Sequence, residues 1–192
     1  ARPQGETLVR NIYPNSVTSI SIMNNRLYCT DYGGTILSLA MDGTDIRILE
    51  DSSFNSPNSL SQLYCYNSRV YFVKDWKSLL SMNEQGEDLQ EHLTLSSTNL
   101  VITAIEDDIV YYTFTEAANE GAVGPVKASS YDLNTKAYGN TFTLDTGIVS
   151  IKKQGDYLYY SQYQNWSNVY EYDIIIKSFN LLTEQKEVLI SY

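Results

Sequence analysis

Histidine occurs once and cysteine twice in the 192 residues of this chain, and that scarcity removes several kinds of chemistry at the outset. A structural zinc site takes four His or Cys ligands at set spacings, and His92, Cys29 and Cys65 do not make up one. Two cysteines are likewise too few for a disulfide-dense scaffold. Cys65 aligns with Ile22, an apolar strand position, so a buried free thiol is expected there, while a bridge to Cys29 between neighbouring units stays open. Basic residues are also in short supply: 13 Lys and Arg face 23 Asp and Glu, for a net charge of −10. That balance repels phosphate backbones and anionic lipid, so nucleic acid and membrane surfaces are not expected partners; the acidic surface is expected to serve solubility.

Long apolar runs are absent as well, and nothing approaches the roughly 18 to 20 residues of a membrane span. Ala1 opens no basic segment with an apolar core behind it, so an export signal has been removed or never existed. Ala- and Glu-rich helical blocks are missing too. What fills the chain instead is 17 tyrosines among many Val, Ile, Leu, Thr and Ser, a composition that favours strands. The expected class is all-β.

One stretch occurs four times. It reads Asn24-Asn25-Arg26-Leu27-Tyr28-Cys29-Thr30-Asp31, then Asn67-Ser68-Arg69-Val70-Tyr71-Phe72-Val73-Lys74-Asp75, then Asp107-Asp108-Ile109-Val110-Tyr111-Tyr112-Thr113, then Gly155-Asp156-Tyr157-Leu158-Tyr159-Tyr160-Ser161. Each copy is a polar turn followed by an alternating strand. The aliphatic residue before the tyrosine recurs at Leu27, Val70, Val110 and Leu158, at intervals of 43, 40 and 48 residues. A period of 40 to 45 residues holding several short strands marks the blade of a β-propeller.

Four blades of four antiparallel strands follow, at about 12–50, 55–95, 98–144 and 148–192, with 5–10 as the outer strand of another blade. Between the second and third strands of the third unit, an insertion from Glu116 to Pro125 makes an irregular loop. In the fourth unit, the second strand is expected over Tyr157–Tyr163, a loop over Gln164–Asn168, and one long strand over Val169–Leu181 with a bend or bulge in its middle. A propeller must close, because an open end leaves a blade face in water. A strand-like start added to a complete fourth blade favours a portion of a larger ring, completed by missing blades or by self-association, over a closed ring of four.

Tyr28-Cys29-Thr30-Asp31 resembles the Tyr-Trp-Thr-Asp signature of low-density-lipoprotein-receptor-like propellers, differing in its second residue, and Leu39-Ala40-Met41-Asp42-Gly43-Thr44-Asp45 looks like that family's third strand and turn. The Leu-Tyr-Tyr blades are closer still to bacterial propeller proteins of unknown function. That likeness implies an extracellular or cell-envelope location. The aspartate persists as Asp75 but is gone from Tyr111-Tyr112-Thr113-Phe114 and Tyr159-Tyr160-Ser161-Gln162, so no receptor-specific ligand residues carry over.

Candidate chemistry gathers in the loops after the second strands. Tyr32, Trp76, Tyr163 and Trp166 fall in or beside these loops, where the repeat would bring them to one rim. Aromatic faces at a rim bind sugar rings or peptide side chains, whereas packing between blades is their structural use. Asp31, Asp75, Glu116 and Glu120 occupy equivalent loops, and a glycan hydrolase needs two such carboxylates; turn formation explains them more simply. Asp42-Gly43-Thr44-Asp45 lacks the distal glutamate of a calcium loop and is expected to be a hairpin turn. Asn165-Trp166-Ser167 fits the glycosylation triplet and is given no role. The expectation is a non-catalytic platform for a protein or glycan ligand, with an envelope-associated hydrolase as the alternative. No catalytic residue, metal or cofactor is expected.

Overall fold

The computed structural model describes residues 17–31, 33–50, 60–96, 98–115, 124–168 and 171–191, with side chains throughout except at 60, 61, 98, 164–168, 171 and 172. Sixteen strands and no helix make up the regular structure of these residues. They form four antiparallel sheets, each a meander of four consecutive strands. The first holds β1 (Val17–Met23), β2 (Arg26–Asp31), β3 (Ile36–Ala40) and β4 (Arg47–Glu50). The second holds β5 (Leu60–Tyr66), β6 (Arg69–Lys74), β7 (Ser78–Asn83) and β8 (Gln90–Thr94). β9 (Thr98–Glu106), β10 (Ile109–Thr115), β11 (Val126–Asp132) and β12 (Phe142–Thr143) make the third. β13 (Ile148–Gln154), β14 (Tyr157–Asn168), β15 (Glu171–Asn180) and β16 (Lys186–Ser191) make the fourth. The all-β, propeller-like expectation holds.

The recurring polar turns are why the hairpins form. Asn24-Asn25, Asn67-Ser68 and Asp107-Asp108 all take positive φ at both positions, between 44° and 62°. This is the type I′ geometry whose twist matches that of the strands it joins, and Asn and Asp tolerate it best among residues with side chains. Strand alternation then sends successive side chains to opposite sheet faces. Tyr28, Ile36 and Leu49 meet Leu63, Val70 and Phe72 between the first and second sheets. Tyr71, Val73 and Leu79 meet Ile102, Val110 and Tyr112 between the second and third. Ala128 and Leu144 meet Leu158, Tyr160 and Phe179 between the third and fourth. Each fully buried aliphatic or aromatic side chain in these layers is worth about 1.5–3 kcal/mol. Among the described residues no such layer joins the fourth sheet to the first.

Inner-strand edges are closed by side chains of the neighbouring sheet. Leu63 N donates to Ser19 Oγ at 3.1 Å and Cys65 N to Ser21 Oγ at 3.0 Å. Tyr64 Oη donates to the Ile102 carbonyl at 3.1 Å, and Asp108 N to Tyr66 Oη at 2.8 Å. An open edge invites pairing with another chain, and these contacts occupy it.

Two expectations need correction. Gln164–Asn168 is the end of β14, not a loop, because Gln164 pairs with Asp173 and Asn168 with Glu171 across a wide bulge. The irregularity expected within Val169–Leu181 lies instead on the partner strand: Ile176 pairs with Ile190 and Lys177 with Val188, leaving Leu189 as the extra residue in β16. The same bulge occurs at Leu49 in β4 and at His92 in β8. The expected strand at 5–10 and most of the Glu116–Pro125 insertion lie outside the described residues.

Candidate functional site

Inner strands bulge near one rim in every sheet, which breaks their two-residue alternation and re-aims side chains. Thr18, Gln62, Asn99 and Val149 lie in these irregular stretches of β1, β5, β9 and β13. Gln62, Asn99 and Val149 are thereby turned into a cleft of about 460 Å³ between the second, third and fourth sheets. Its aromatic surfaces are Trp76 and Phe114, and its polar groups include Thr113, Thr115, Ser150 and Lys152.

Trp76 is held there by its turn. Lys77 N donates to the Lys74 carbonyl at 3.0 Å, and the two residues between, Asp75 and Trp76, have φ of 52° and 58°. A bulky residue in the left-handed region costs on the order of 1 kcal/mol or more, a cost most often met at functional positions. The Trp76 carbonyl accepts from Leu100 N at 2.8 Å, which ties the turn to the third sheet.

Electrostatically the cleft departs from the acidic protein around it. Lys152 is the one ionisable side chain among the described residues that line it. Lys152 Nζ donates to Tyr64 Oη at 3.4 Å and lies 5.8 Å from that ring's centroid, linking β13 to β5. Opposite this cation-bearing strand, Gln62 Oε1 is buried and accepts no hydrogen bond from the described residues. A buried amide oxygen without a donor is costly, so it is an acceptor in waiting for a hydroxyl or amide.

Of the four aromatic candidates, the structure places Trp76 in the cleft. Tyr163 does not line it; its backbone N donates to the Gly147 carbonyl at 3.2 Å, steadying the stretch that forms one wall. Tyr32 lies outside the described residues, as does the side chain of Trp166. The sequence did not single out Gln62, Asn99, Phe114 or Lys152. Only coordinates reveal the inner-strand bulges that aim the first two.

The carboxylate candidates do not converge on this cleft. Asp31 is buried in its own turn, where its Oδ1 accepts from Thr35 N at 2.9 Å. Asp75 is exposed beside Trp76, no Asp or Glu is among the described lining residues, and Glu116 and Glu120 lie outside the description. Asp42 Oδ1 accepts from Thr44 N at 3.0 Å and Thr44 Oγ1 at 2.6 Å, a turn-closing arrangement. Among the described residues no three His, Cys, Asp or Glu side chains gather to hold a metal ion.

His92 pairs with Ser81 at 2.7 Å, yet Ser81 is fully buried and also accepts from Arg69 Nε at 2.9 Å. The couple lies within the second sheet, joining β7 to β8, with the imidazole tilted over Tyr71 at 5.5 Å. Burial, and then the Arg69 and Lys136 charges, lower the His92 pKa. Cys29 and Cys65 are both free thiols, each pushed up to about 11, chiefly by burial.

No family model matches the chain, and no curated protein matches it in sequence. Solved structures do resemble it. A computationally designed protein, Ika4, aligns over 92% of this chain and 91% of its own with a TM-score of 0.54 at 13% identity. A chain of a nidogen/laminin complex aligns over 93% of this chain and 80% of its own with a TM-score of 0.48 at 10% identity. At 13% identity the likeness to the designed protein is one of fold alone, and the four antiparallel sheets of this chain are what it bears on.

Proposed function

We propose that the chain is a non-catalytic binding platform that takes a protein or glycan ligand in the cleft between its second, third and fourth sheets, at the cell envelope. The observation that carries this reading is the pairing in one cleft of Trp76, held at a strained φ, with Gln62, whose Oε1 accepts no hydrogen bond from the described residues. An aromatic face covers the apolar side of a sugar ring or a peptide side chain, while Gln62, Asn99 and Thr113 meet its hydroxyls or amides. The envelope setting rests on the resemblance of the Leu-Tyr-Tyr blades.

The test is direct titration, by calorimetry and tryptophan fluorescence, of neutral oligosaccharides of several linkages and of a peptide library. A saturable ligand that is not turned over, lost at least tenfold in affinity on Trp76→Ala and on Gln62→Leu, supports the platform. Hydrolysis of any of these oligosaccharides that disappears on Asp75→Asn would sink it.

A further inference from the structure

Acids outnumber bases 23 to 13 in this chain, and several of the bases are answered by an acid nearby. Arg26 and Arg47 pair with Asp45, Arg69 with Asp88, Lys153 with Glu106, and Lys177 and Lys186 with Asp145. Lys152 is different. Among the described residues no carboxylate lies within ion-pair distance of its ammonium. Its neighbour is Tyr64, whose Oη accepts from Lys152 Nζ at 3.4 Å and whose ring centroid is 5.8 Å away.

This ammonium lines the cleft of Trp76 and Gln62, where no described lining residue is Asp or Glu. By reaching Tyr64 it brings its charge to β5, the strand that carries Gln62 and the buried oxygen that accepts nothing from the described residues. Asn99 Nδ2 donates to Thr115 Oγ1 at 3.0 Å, which leaves Oδ1 as the amide's acceptor for anything that enters. The cleft thus offers one cation, two amide acceptors and the flat apolar surface of Trp76. A hydrogen bond to an ionised partner is about twice as strong as a neutral one, so the ligand that gains most from Lys152 is one that carries an anion.

Resting on the platform reading above, we propose that the ligand of this cleft is a uronate-bearing glycan. Its sugar ring lies on Trp76, a ring hydroxyl donates to Gln62 Oε1, and the carboxylate meets Lys152 Nζ. Peptides carry carboxylates too, but an extended peptide gains affinity by adding to an open strand edge. Here the inner edges are taken at Leu63 N and Cys65 N by Ser19 and Ser21, and at Leu100 N by the Trp76 carbonyl. What the cleft presents instead is side-chain amides and hydroxyls, which suit ring hydroxyls that both donate and accept. The net charge of −10 does not oppose contact, because salt screens exposed charges beyond about 8 Å.

The probes are oligomers of galacturonate, glucuronate and mannuronate, each compared by calorimetry with its own methyl ester, which keeps the ring and removes the charge. At least one acid should bind the full chain tenfold or more tighter than its ester. Lys152→Gln should abolish that preference, Lys152→Arg should keep it, and added salt should shrink it. Uronates that bind no better than their esters, or that fail to bind where neutral oligosaccharides succeed, would overturn the uronate assignment and leave the platform standing. So would an acid preference that survives Lys152→Gln, or an acidic peptide that binds through Lys152 in place of the uronates. Failure of every glycan and peptide would remove both readings. Should Lys152→Gln misfold by circular dichroism, Lys152→Arg and the wild type in salt decide, and a preference indifferent to salt overturns the assignment.

Discussion

Asp145 accepts a hydrogen bond from Tyr160 Oη at 2.7 Å and in doing so fastens the third sheet to the fourth. Lys177 Nζ and Lys186 Nζ reach the same carboxylate at 2.9 and 3.0 Å, drawing β15 and β16 to it, while the Asp145 carbonyl accepts from Val126 N at 3.1 Å. Desolvation pushes the carboxyl up, but the bonds from Tyr160, Lys177 and Lys186 outweigh it and bring its pKa down to about 2. Tyr160 is correspondingly raised, by burial first and by Asp145 second.

Stability should therefore fall on acidification through this one carboxylate. Its folded pKa lies below the unfolded value of 3.8, so the unfolded chain takes up the proton first and the contribution drains away as the pH drops from 3.8 toward 2. Asp145→Asn should cost about 2 kcal/mol near neutrality. Urea unfolding should show the gap between wild type and variant narrowing between pH 5 and pH 2; a constant gap would mean the carboxylate charge is not what matters.

His92 should add a second loss on acidification, at higher pH. Its folded pKa is lowered, so below about 6.5 the unfolded state binds the proton more readily and stability declines as the pH falls through the interval beneath that value. As the chain has a single histidine, one imidazole resonance followed by NMR reads the lowered value directly, and His92→Asn should remove the slope of stability between pH 5 and 7.

Both thiols should be silent in the folded protein. With pKa values raised to about 11, Cys29 and Cys65 carry roughly 100-fold less thiolate at pH 8 than ordinary cysteines. A disulfide reagent should label neither at an appreciable rate in buffer and both in urea. Rapid labelling of the half-buried Cys65 in buffer would show the joint between the first two sheets opening.

Trp76 should be separable from the fold. Glycine takes a positive φ without strain, so Trp76→Gly removes on the order of 1 kcal/mol of backbone cost while giving up a half-buried ring of similar value. Thermal unfolding should move by no more than about 3 °C, while ligand affinity falls at least tenfold. A drop well beyond that in melting temperature would assign the ring to packing.

Much of the fold could be read from the tyrosine hairpins, because their polar turns and two-residue alternation act locally and leave the same imprint four times. The cleft was only half legible. Trp76 stood out as an aromatic beside a turn, but Gln62 and Asn99 reach the cleft through extra residues in β5 and β9, and a bulge shifts which side chain faces where without leaving a residue-type signature. One pattern was present and passed over: Arg26 binds Asp45 at 2.6 Å and Arg69 binds Asp88 at 2.7 Å, each pair 19 residues apart. In both, the guanidinium spans from the start of the second strand to the turn before the fourth and also binds a buried serine, Ser38 or Ser81. Gln164–Asn168 misled because Asn and Ser are typical of turns, and pairing with β15 overrode that preference.

Every sheet among the described residues is a run of four consecutive strands, and none lends a strand to its neighbour. Strand pairing is thus settled within each unit, and what passes between units is side-chain packing and isolated bonds such as that from Leu100 N to the Trp76 carbonyl. A gene encoding such a chain can gain or lose a whole unit by unequal recombination without orphaning a single strand, so the number of blades is free to drift.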